Sequence, residues 1–320
     1  MFTIKKKKLG INGLVVTELC FGTLPLGPLQ TNMSLAKGAE VIKYALNNGV
    51  NFIDTAHVYR TYKYVKEAIK DIDREKYVIA SKSKESKYDK VKKEVEEGLE
   101  KLGLEYFDIF HIHAAREANP FDVRSEALKA LVDCKKEGLI KNIGIATHYV
   151  KVVKEASMVD EIDIVFPIIN KVGMGIVDGS AEEMLEAIKS AKEKGKGIYA
   201  MKTLAGGRLI NELYDAITFV RNNSFIDCIA VGMVDKKEVD INLSIFNDEV
   251  LEDKDFDLEL KNYKKLRIMS HLCILCGNCI EECPNFALSA GENSAEVDHD
   301  KCILCGYCTR VCPELAIRIA

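Results

Sequence analysis

Long apolar runs are missing from the sequence: none approaches the roughly 20 residues that a membrane-spanning helix requires. The N-terminus is basic but lacks the apolar segment of a secretory signal. We therefore expect a cytoplasmic protein with no membrane partner. A surplus of positive charge is also missing, since the formal net charge is −4, and nothing favours nucleic-acid binding. The basic run at residues 5–8 is either a small basic patch or, more simply, an edge strand guarded by lysines.

Cysteine is scarce over most of the chain and concentrated near its end. Eight of the 11 cysteines lie between Cys273 and Cys312. The others, Cys20, Cys134 and Cys228, stand in apolar contexts that are typical of small core residues. In a cytoplasmic protein such clustering indicates metal binding rather than disulfide bonds.

The length and composition suit one large domain with a smaller appendage. The chain has 320 residues, of which 48% are hydrophobic and 29% charged, enough to fill a sizeable core and to cover a water-exposed surface. We place the larger domain at residues 1–260 and the smaller at residues 261–320. Residues 247–270 are charged, and we predict a helix and linker there that lead the chain from one domain to the other.

Short apolar strands alternate with long amphipathic helices through the larger domain. A hairpin comes first, with strands at 3–9 and 14–19. Eight strands and eight helices over about 250 residues are typical of a (β/α)8 TIM-type barrel. A doubly wound open sheet is the alternative, but no strand is followed by a G-x-G-x-x-G turn. The predicted strands are 19–23, 51–54, 77–81, 107–113, 142–147, 164–169, 197–201 and 227–232, and the predicted helices lie near 34–48, 61–71, 87–102, 122–137, 149–157, 180–194, 209–222 and 235–246.

The smaller domain is an internal repeat with an offset of 29 residues. Residues 273–287 and 302–316 each contain the pattern C-x2-C-x2-C-x3-C-P. In this pattern three closely spaced thiolates bind one face of a cuboidal cluster, and the fourth cysteine reaches the other cluster. Structural zinc is the alternative, but a zinc ribbon has no use for a third cysteine at the same spacing. The predicted ligands of two 4Fe-4S clusters are Cys273, Cys276, Cys279 and Cys312 for one, and Cys302, Cys305, Cys308 and Cys283 for the other.

The repeat resembles the bacterial-type ferredoxins with two 4Fe-4S clusters, over residues 271–320. The resemblance implies a small α+β domain and one-electron transfer at low potential. Two clusters in line are the arrangement expected of a path for electrons. A purely structural or a sensory role for the clusters is the alternative.

Four side chains near the ends of predicted strands could form a proton-donating site. Asp54 ends the second strand, and Tyr59 follows it on a predicted loop. Lys82 and His113 end the third and fourth strands, at the barrel mouth where such folds place their chemistry. An ammonium group favours a neighbouring phenolate, so Lys82, held by Asp54, would make Tyr59 a better acid. Each residue on its own has an ordinary structural explanation. Together the four predict a general acid that donates a proton to a carbonyl group during its reduction.

Residues 1–260 resemble the aldo-keto reductase family. Asp54–Tyr59 is similar to the family's DTAxxY segment, and residues 98–113 are similar to its SLxxLGxxYxDLxxxH segment. The segment at 136–145, before the fifth strand, also resembles the family. The resemblance implies a small carbonyl substrate, with Tyr59 as the acid. The catalytic residues that it implies are Asp54, Tyr59, Lys82 and His113.

The nicotinamide site that the resemblance implies departs from the family pattern. Ala146 stands where the family usually has serine, Phe166 where it has glutamine, and Met201 where a tyrosine stacks on the nicotinamide ring. The usual arginine for a 2′-phosphate is missing, although Lys236 or Lys237 could serve, so NADP(H) and NAD(H) both stay open. The implied cofactor-binding residues are Thr23, Thr147, Asn170, Lys202, Gly207, Gly232, Glu238 and Asn242.

Three functions are compatible with these features. The first is an oxidoreductase that acts on an aldehyde, a ketone or the corresponding alcohol with a nicotinamide cofactor and Tyr59 as general acid. The second is an electron-transfer protein that passes electrons between the clusters, or an external redox protein, and a different redox group in the barrel. A flavin would suit that step, but no flavin motif stands out. The third is a sensor that responds to cluster loss, which the four intact site residues disfavour.

Overall fold

The first element along the chain is the predicted hairpin. The structure is a computed structural model that describes residues 4–117, 119–249, 265–314 and 316–319. Strands β1 (Lys6–Leu9) and β2 (Leu14–Thr17) pair antiparallel. Leu9 is fully buried in an apolar cluster with residues from inside the barrel. Gly10 lies against Gly197, the first residue of a barrel strand, where an added Cβ would come within 3.0 Å of the backbone nitrogen. The hairpin therefore closes the amino-terminal end of the barrel.

Eight parallel strands form a closed barrel, as predicted. Each strand pairs with the next along the chain, and the last pairs with the first. The strands are apolar and buried over most of their length because helices cover the outside and side chains fill the inside. In chain order they are β3 (Leu19–Gly22), β4 (Phe52–Asp54), β5 (Val78–Ser83), β6 (Phe107–Ala115), β7 (Ile140–Thr147), β8 (Ile164–Pro167), β9 (Gly197–Ala200) and β10 (Cys228–Gly232).

Amphipathic helices form the outer layer, and their ends are fixed by capping groups. Ser180 and Glu183 form a reciprocal capping box at the start of one helix. Gly103 ends another at a φ of +73°, a left-handed conformation that suits glycine. None of the described helices is long and apolar enough to cross a membrane. The helices are α1 (Leu35–Asn47), α2 (Tyr62–Ile69), α3 (Tyr88–Leu102), α4 (Pro120–Val123), α5 (Ser125–Lys136), α6 (Val150–Ala156), α7 (Ala181–Glu193), α8 (Leu213–Arg221) and α9 (Lys236–Phe246).

The C-terminal domain shows the predicted internal repeat in its strands and helices. Its first half is β11 (Leu266–Ile268), α10 (Asn278–Glu282) and β12 (Leu288–Ala290). The same order recurs as β13 (Ala295–Val297), α11 (Tyr307–Val311) and β14 (Ile317–Ile319). Strand β11 pairs with β14, and β12 pairs with β13. Each small sheet therefore takes one strand from each half, which confirms a small α+β domain.

The predicted helix over residues 247–270 is wrong at its C-terminal end. Residues 266–268 form strand β11, because this segment pairs with β14 at the far end of the sequence. Residues 250–264 lie outside the described part of the chain, as does the predicted domain boundary at residue 260.

The C-terminal domain packs on the carboxyl end of the barrel. Gly306, at a φ of +80°, lies so close to Leu29 that an added Cβ would be 2.5 Å from the Leu29 carbonyl oxygen. Loops that follow β3, β5, β6 and β8 also hold the domain by polar contacts. The contacting pairs are Gln30 with Leu304, Lys84 with Glu282, Arg116 with Glu281, and Gly175 with Asn285. The barrel mouth is therefore partly covered by the smaller domain.

Candidate active site and cluster sites

Four buried side chains meet at the carboxyl ends of three adjacent strands. Asp54 is the last residue of β4, while Lys82 and His113 lie near the ends of β5 and β6. Tyr59 ends a short 3-10 helix, and Arg60 then turns the chain at a φ of +57°. All four predicted residues are at most 7% exposed. The structure therefore brings the predicted tetrad together in one place.

Lys82 and Asp54 form a buried ion pair at the centre of the site. The Lys82 Nζ lies 2.6 Å from both carboxylate oxygens of Asp54 and donates to the Thr55 carbonyl at 2.7 Å. Burial raises the pKa of the Asp54 carboxyl and lowers the pKa of the Lys82 ammonium. Each charge offsets part of the other's shift. Each partner therefore stabilises the charged form of the other.

Tyr59 lies between Lys82 and His113. The Lys82 Nζ is 5.2 Å from the centroid of the Tyr59 ring, and the His113 ring meets that ring edge-on with centroids 5.6 Å apart. Burial, and then the charge of Asp54, raise the pKa of Tyr59, and the neighbouring hydroxyl of Tyr307 lowers it. From the sequence we expect Lys82 to lower this pKa, but in the structure burial is the largest effect and raises it. Tyr59 is therefore held as a neutral phenol that carries a proton.

His113 makes a contact that the sequence did not predict. Its Nε2 lies 2.8 Å from the hydroxyl of Tyr307, with the two rings perpendicular and their centroids 5.8 Å apart. Tyr307 begins α11, where the first half of the repeat has Asn278. Burial, and then the charges of Lys82 and Lys84, lower the pKa of His113, so the imidazole is neutral. In the sequence, Tyr307 could have been singled out only because the equivalent position of the first half of the repeat holds Asn278.

A second unpredicted tyrosine lies beneath the ion pair, inside the barrel. The Tyr199 hydroxyl donates to Asp54 Oδ1 at 2.9 Å and lies 2.6 Å from Nε2 of His111. Its ring stacks on Phe166, with centroids 3.9 Å apart and 13° between the planes. Nothing in the local sequence distinguishes Tyr199 or His111 from ordinary inward-facing strand residues. Together they fix the orientation of the Asp54 carboxylate from below.

A cavity of about 770 Å³ extends from Asp54 and Tyr59 toward β10 and α9, between the barrel and the C-terminal domain. Its volume is in the range of pockets for small molecules and cofactors. Phe166 and Met201, two of the positions that depart from the family pattern, line it. Five of the eight predicted cofactor-binding residues also line it: Lys202, Gly207, Gly232, Glu238 and Asn242.

Three buried polar atoms in the cavity wall have no hydrogen-bond partner in the part of the chain that the structure describes. Thr203 Oγ1, Arg208 Nε and Asn242 Oδ1 are buried without a hydrogen-bond partner among the described residues. Buried polar atoms are nearly always paired in native proteins, so these atoms indicate a polar ligand. The first two lie after β9 and the third on α9. An elongated ligand that extends from Tyr59 toward α9 fits this distribution.

The other three predicted cofactor-binding residues do not line the cavity. Thr23, Thr147 and Asn170 are fully buried. The Thr147 hydroxyl donates to the Ala115 carbonyl at 2.7 Å, and the Asn170 amide donates to the Met174 carbonyl at 2.8 Å. The contacts of Thr147 and Asn170 are thus within the protein, and their role in cofactor binding stays a prediction.

The eight clustered cysteines line two small cavities in the C-terminal domain. In each cavity three cysteines come from one half of the repeat and the fourth comes from the other half, the division predicted for two cuboidal clusters. Backbone amides donate to three of the sulfurs at 3.2 to 3.4 Å. Within the described ranges, no group of three or more His, Cys, Asp or Glu side chains could hold a single metal ion. The cavities are lined by Cys273, Cys276, Cys279 and Cys312, and by Cys283, Cys302, Cys305 and Cys308.

The two cysteine sets differ in their distance from the barrel. Cys305 packs against the apolar cluster that contains Val58, Tyr59 and Tyr307. Cys276 of the other set is exposed. One set therefore borders the candidate active site, and the other faces outward.

Comparisons with known proteins match both parts of the chain. Residues 18–258 match the model of the Aldo/keto reductase family, and residues 265–318 match the 4Fe-4S dicluster domain. The chain is 28% identical over 232 residues to L-galactose dehydrogenase of Arabidopsis thaliana, covering 66% of this chain and 69% of that protein. It is 29% identical over 230 residues to glyoxal reductase of Bacillus subtilis, covering 70% and 79%. The fold is similar to that of a Bombyx mori aldo-keto reductase in complex with NADP, with a TM-score of 0.61, 17% identity and coverage of 82% and 93%.

Proposed function

Because the chain belongs to the aldo/keto reductase family and carries a 4Fe-4S dicluster domain, we propose that this oxidoreductase reduces an aldehyde or ketone, or oxidises the corresponding alcohol, with a nicotinamide cofactor. The observation that carries the proposal is the buried tetrad of Asp54, Tyr59, Lys82 and His113 at one end of a cavity of about 770 Å³. The relative from Bacillus subtilis is named a glyoxal reductase, so a small dicarbonyl such as glyoxal is a candidate substrate.

The four side chains can perform the proton chemistry of such a reaction. A reduced nicotinamide, when bound, supplies a hydride to the carbonyl carbon. Tyr59 then donates its phenolic proton to the carbonyl oxygen. Lys82, whose ammonium lies 5.2 Å from the Tyr59 ring centroid, stabilises the phenolate that forms. Asp54 holds Lys82 in position, and the neutral His113 orients the carbonyl oxygen.

The two cysteine sets provide the ligands for two 4Fe-4S clusters under this proposal. Such clusters supply one-electron transfer. The three backbone amides that donate to cysteine sulfurs support the assignment, because hydrogen bonds to the sulfurs are among the factors that set the reduction potential of a cluster.

Electron transfer through the C-terminal domain is a second candidate function. It is favoured by the position of Cys305 beside Tyr59 and by the exposure of Cys276, where an external redox protein could dock. Hydride transfer moves two electrons together, whereas iron-sulfur chemistry moves one electron at a time. This function therefore requires a further redox group in the barrel, and a flavin is the chemical class that would serve.

One anoxic experiment separates the two functions. Cluster-loaded protein is mixed with NADPH or NADH in slight excess, and the cluster absorbance near 400 nm and the cofactor absorbance near 340 nm are followed (both wavelengths are approximate and general to these groups). Carbonyl reduction predicts a stable cofactor signal that falls only when glyoxal or 4-nitrobenzaldehyde is added, in proportion to the aldehyde. Electron transfer predicts bleaching of the clusters before any aldehyde is added, when FMN or FAD has been supplied as the further redox group. If neither signal changes at either step with both cofactors, both proposals are contradicted.

A further inference from the structure

The Tyr307 hydroxyl lies between the two groups that would bind a substrate carbonyl. It is 2.8 Å from Nε2 of His113, and the Tyr307 side chain packs in the same buried cluster as Tyr59. A carbonyl oxygen that receives a proton from Tyr59 and a hydrogen bond from His113 must occupy this same position. The phenol and a substrate therefore cannot both be bound there.

The Tyr307 ring is also held tightly in place. The side chain is buried, at 7% exposed, and packs in a cluster with Leu29, Ala56 and Val58. The Lys84 Nζ lies 4.7 Å from the ring centroid, in the range of a cation–π contact. The Tyr307 hydroxyl thus occupies the position of the substrate's carbonyl oxygen, and the Tyr307 ring fills the space next to it.

The cavity beside the tetrad is open on one side and filled on the other. It is lined by Asp54 and Tyr59, but neither His113 nor Tyr307 is among the described residues that line it. The cofactor side of Tyr59 is therefore open, and the substrate side is filled by a residue of the C-terminal domain.

The position of Tyr307 depends on how the C-terminal domain is seated. It stands between Cys305 and Cys308 of one cysteine set. The preceding Gly306 touches Leu29, and the Leu304 carbonyl accepts a hydrogen bond from the Gln30 side chain at 3.0 Å. The loop after β3 thus fixes the segment that carries Tyr307.

We infer that Tyr307 is a specificity-determining residue whose hydroxyl occupies the position of the substrate's carbonyl oxygen. A carbonyl compound then binds only by displacing the Tyr307 side chain. The inference rests on the proposed function, since it takes Tyr59 and His113 as the groups that bind the carbonyl oxygen. Tyr307 then selects compounds whose carbonyl oxygen accepts hydrogen bonds from both Tyr59 and His113. Their substituent must also fit the apolar space that the displaced phenol ring leaves. Aromatic aldehydes and ketones of one ring meet both conditions.

The test measures binding of an unreactive carbonyl compound as well as turnover. The probe is 4-nitrobenzamide, whose carbonyl oxygen accepts hydrogen bonds, and it is titrated calorimetrically into cluster-loaded protein with cofactor bound. Tyr307→Phe keeps the ring and removes the hydroxyl, so the probe no longer competes with the hydrogen bond between Tyr307 and His113. We expect about tenfold tighter binding and a KM for 4-nitrobenzaldehyde that is about tenfold lower, with kcat within about twofold. Tyr307→Leu removes the same hydroxyl and is used if the phenylalanine variant loses its clusters.

Two controls make the outcome decisive. Asn278→Ala changes the same position of the first half of the repeat and should leave probe affinity unchanged. Adding His113→Leu to Tyr307→Phe should abolish the gain, because the probe then lacks one of its two donors. Unchanged affinity in the hydroxyl-free variants would show a purely structural tyrosine, and a lower kcat at constant KM would show a catalytic one; either result overturns the inference. Because the probe is not turned over, the affinity results are independent of whether the wild type reduces carbonyl compounds.

Discussion

Replacement of Tyr59 by phenylalanine is expected to lower carbonyl turnover by a factor of about 10² to 10⁴, the usual contribution of a positioned general acid. The phenol lies between Lys82 and His113, and burial raises its pKa so that it keeps its proton. No other described hydroxyl with a comparable position lines the cavity at this end. Cofactor affinity, measured by NADPH fluorescence in a chain that has no tryptophan, should stay within about twofold, because the lost hydroxyl contributes to the proton transfer rather than to cofactor binding.

A second buried tyrosine offers a matched control for this variant. The Tyr62 hydroxyl lies 2.6 Å from the Ser81 hydroxyl, and Tyr62 is not among the described residues that line the cavity. Tyr62→Phe removes the same atoms from a buried site and should leave kcat within about twofold of the wild type. Turnover by Tyr59→Phe that equals turnover by Tyr62→Phe would contradict the assignment of Tyr59 as the acid.

Replacement of Lys82 by methionine is expected to lower the free energy of unfolding by roughly 3 to 5 kcal/mol, as measured when one partner of a buried ion pair is removed. The Asp54 carboxylate is buried and would keep only the hydrogen bond from Tyr199. Urea unfolding of the cluster-loaded protein, followed by circular dichroism in the absence of oxygen, measures the loss. Burial already raises the pKa of Asp54, so without Lys82 the folded-state pKa lies further above its unfolded value. The loss should therefore be smallest below the unfolded pKa of an aspartate, about 3.9, and should grow as the pH rises toward the raised folded-state pKa of Asp54.

Two further variants show whether the loss comes from the unpaired charge. Lys82→Met combined with Asp54→Asn removes both charges and should be less destabilised than Lys82→Met alone. Lys43→Met breaks the exposed pair between Lys43 and Asp71 and should change stability very little. A double variant that is less stable than Lys82→Met would contradict the account of the ion pair.

The barrel could be predicted closely because its strands are short apolar runs that helices separate. All eight predicted barrel strands agree with the structure to within two residues at each end. Strand β11 could not be predicted in the same way. Residues 266–268 are too few to show a period, and their pairing with residues 317–319 is a contact between distant parts of the chain.

The residues of the candidate site also differ in whether the sequence could predict them. Asp54 and Tyr59 are close in sequence, and strand ends placed Lys82 and His113 beside them. Tyr199 and Tyr307 reach the site from positions 145 and 194 residues away from their partners Asp54 and His113. Contacts between residues so far apart in the sequence leave no local sequence pattern, so they appear only in the folded structure. The hydrogen bonds of Thr147 to Ala115 and of Asn170 to Met174 likewise appear only in the folded structure.

The central claim is that hydride reaches a carbonyl carbon beside Tyr59, and isotope tracing tests it most directly. Cluster-loaded protein is mixed with 4-nitrobenzaldehyde and NADPH that carries deuterium at the transferable position of the nicotinamide ring, and the alcohol product is analysed by mass spectrometry. The account predicts one deuterium atom on the alcohol carbon of the wild-type product, and product from Tyr59→Phe lower by a factor of about 10² or more. Alcohol that forms without deuterium, while the clusters are bleached, would contradict it and would favour electron transfer through the C-terminal domain.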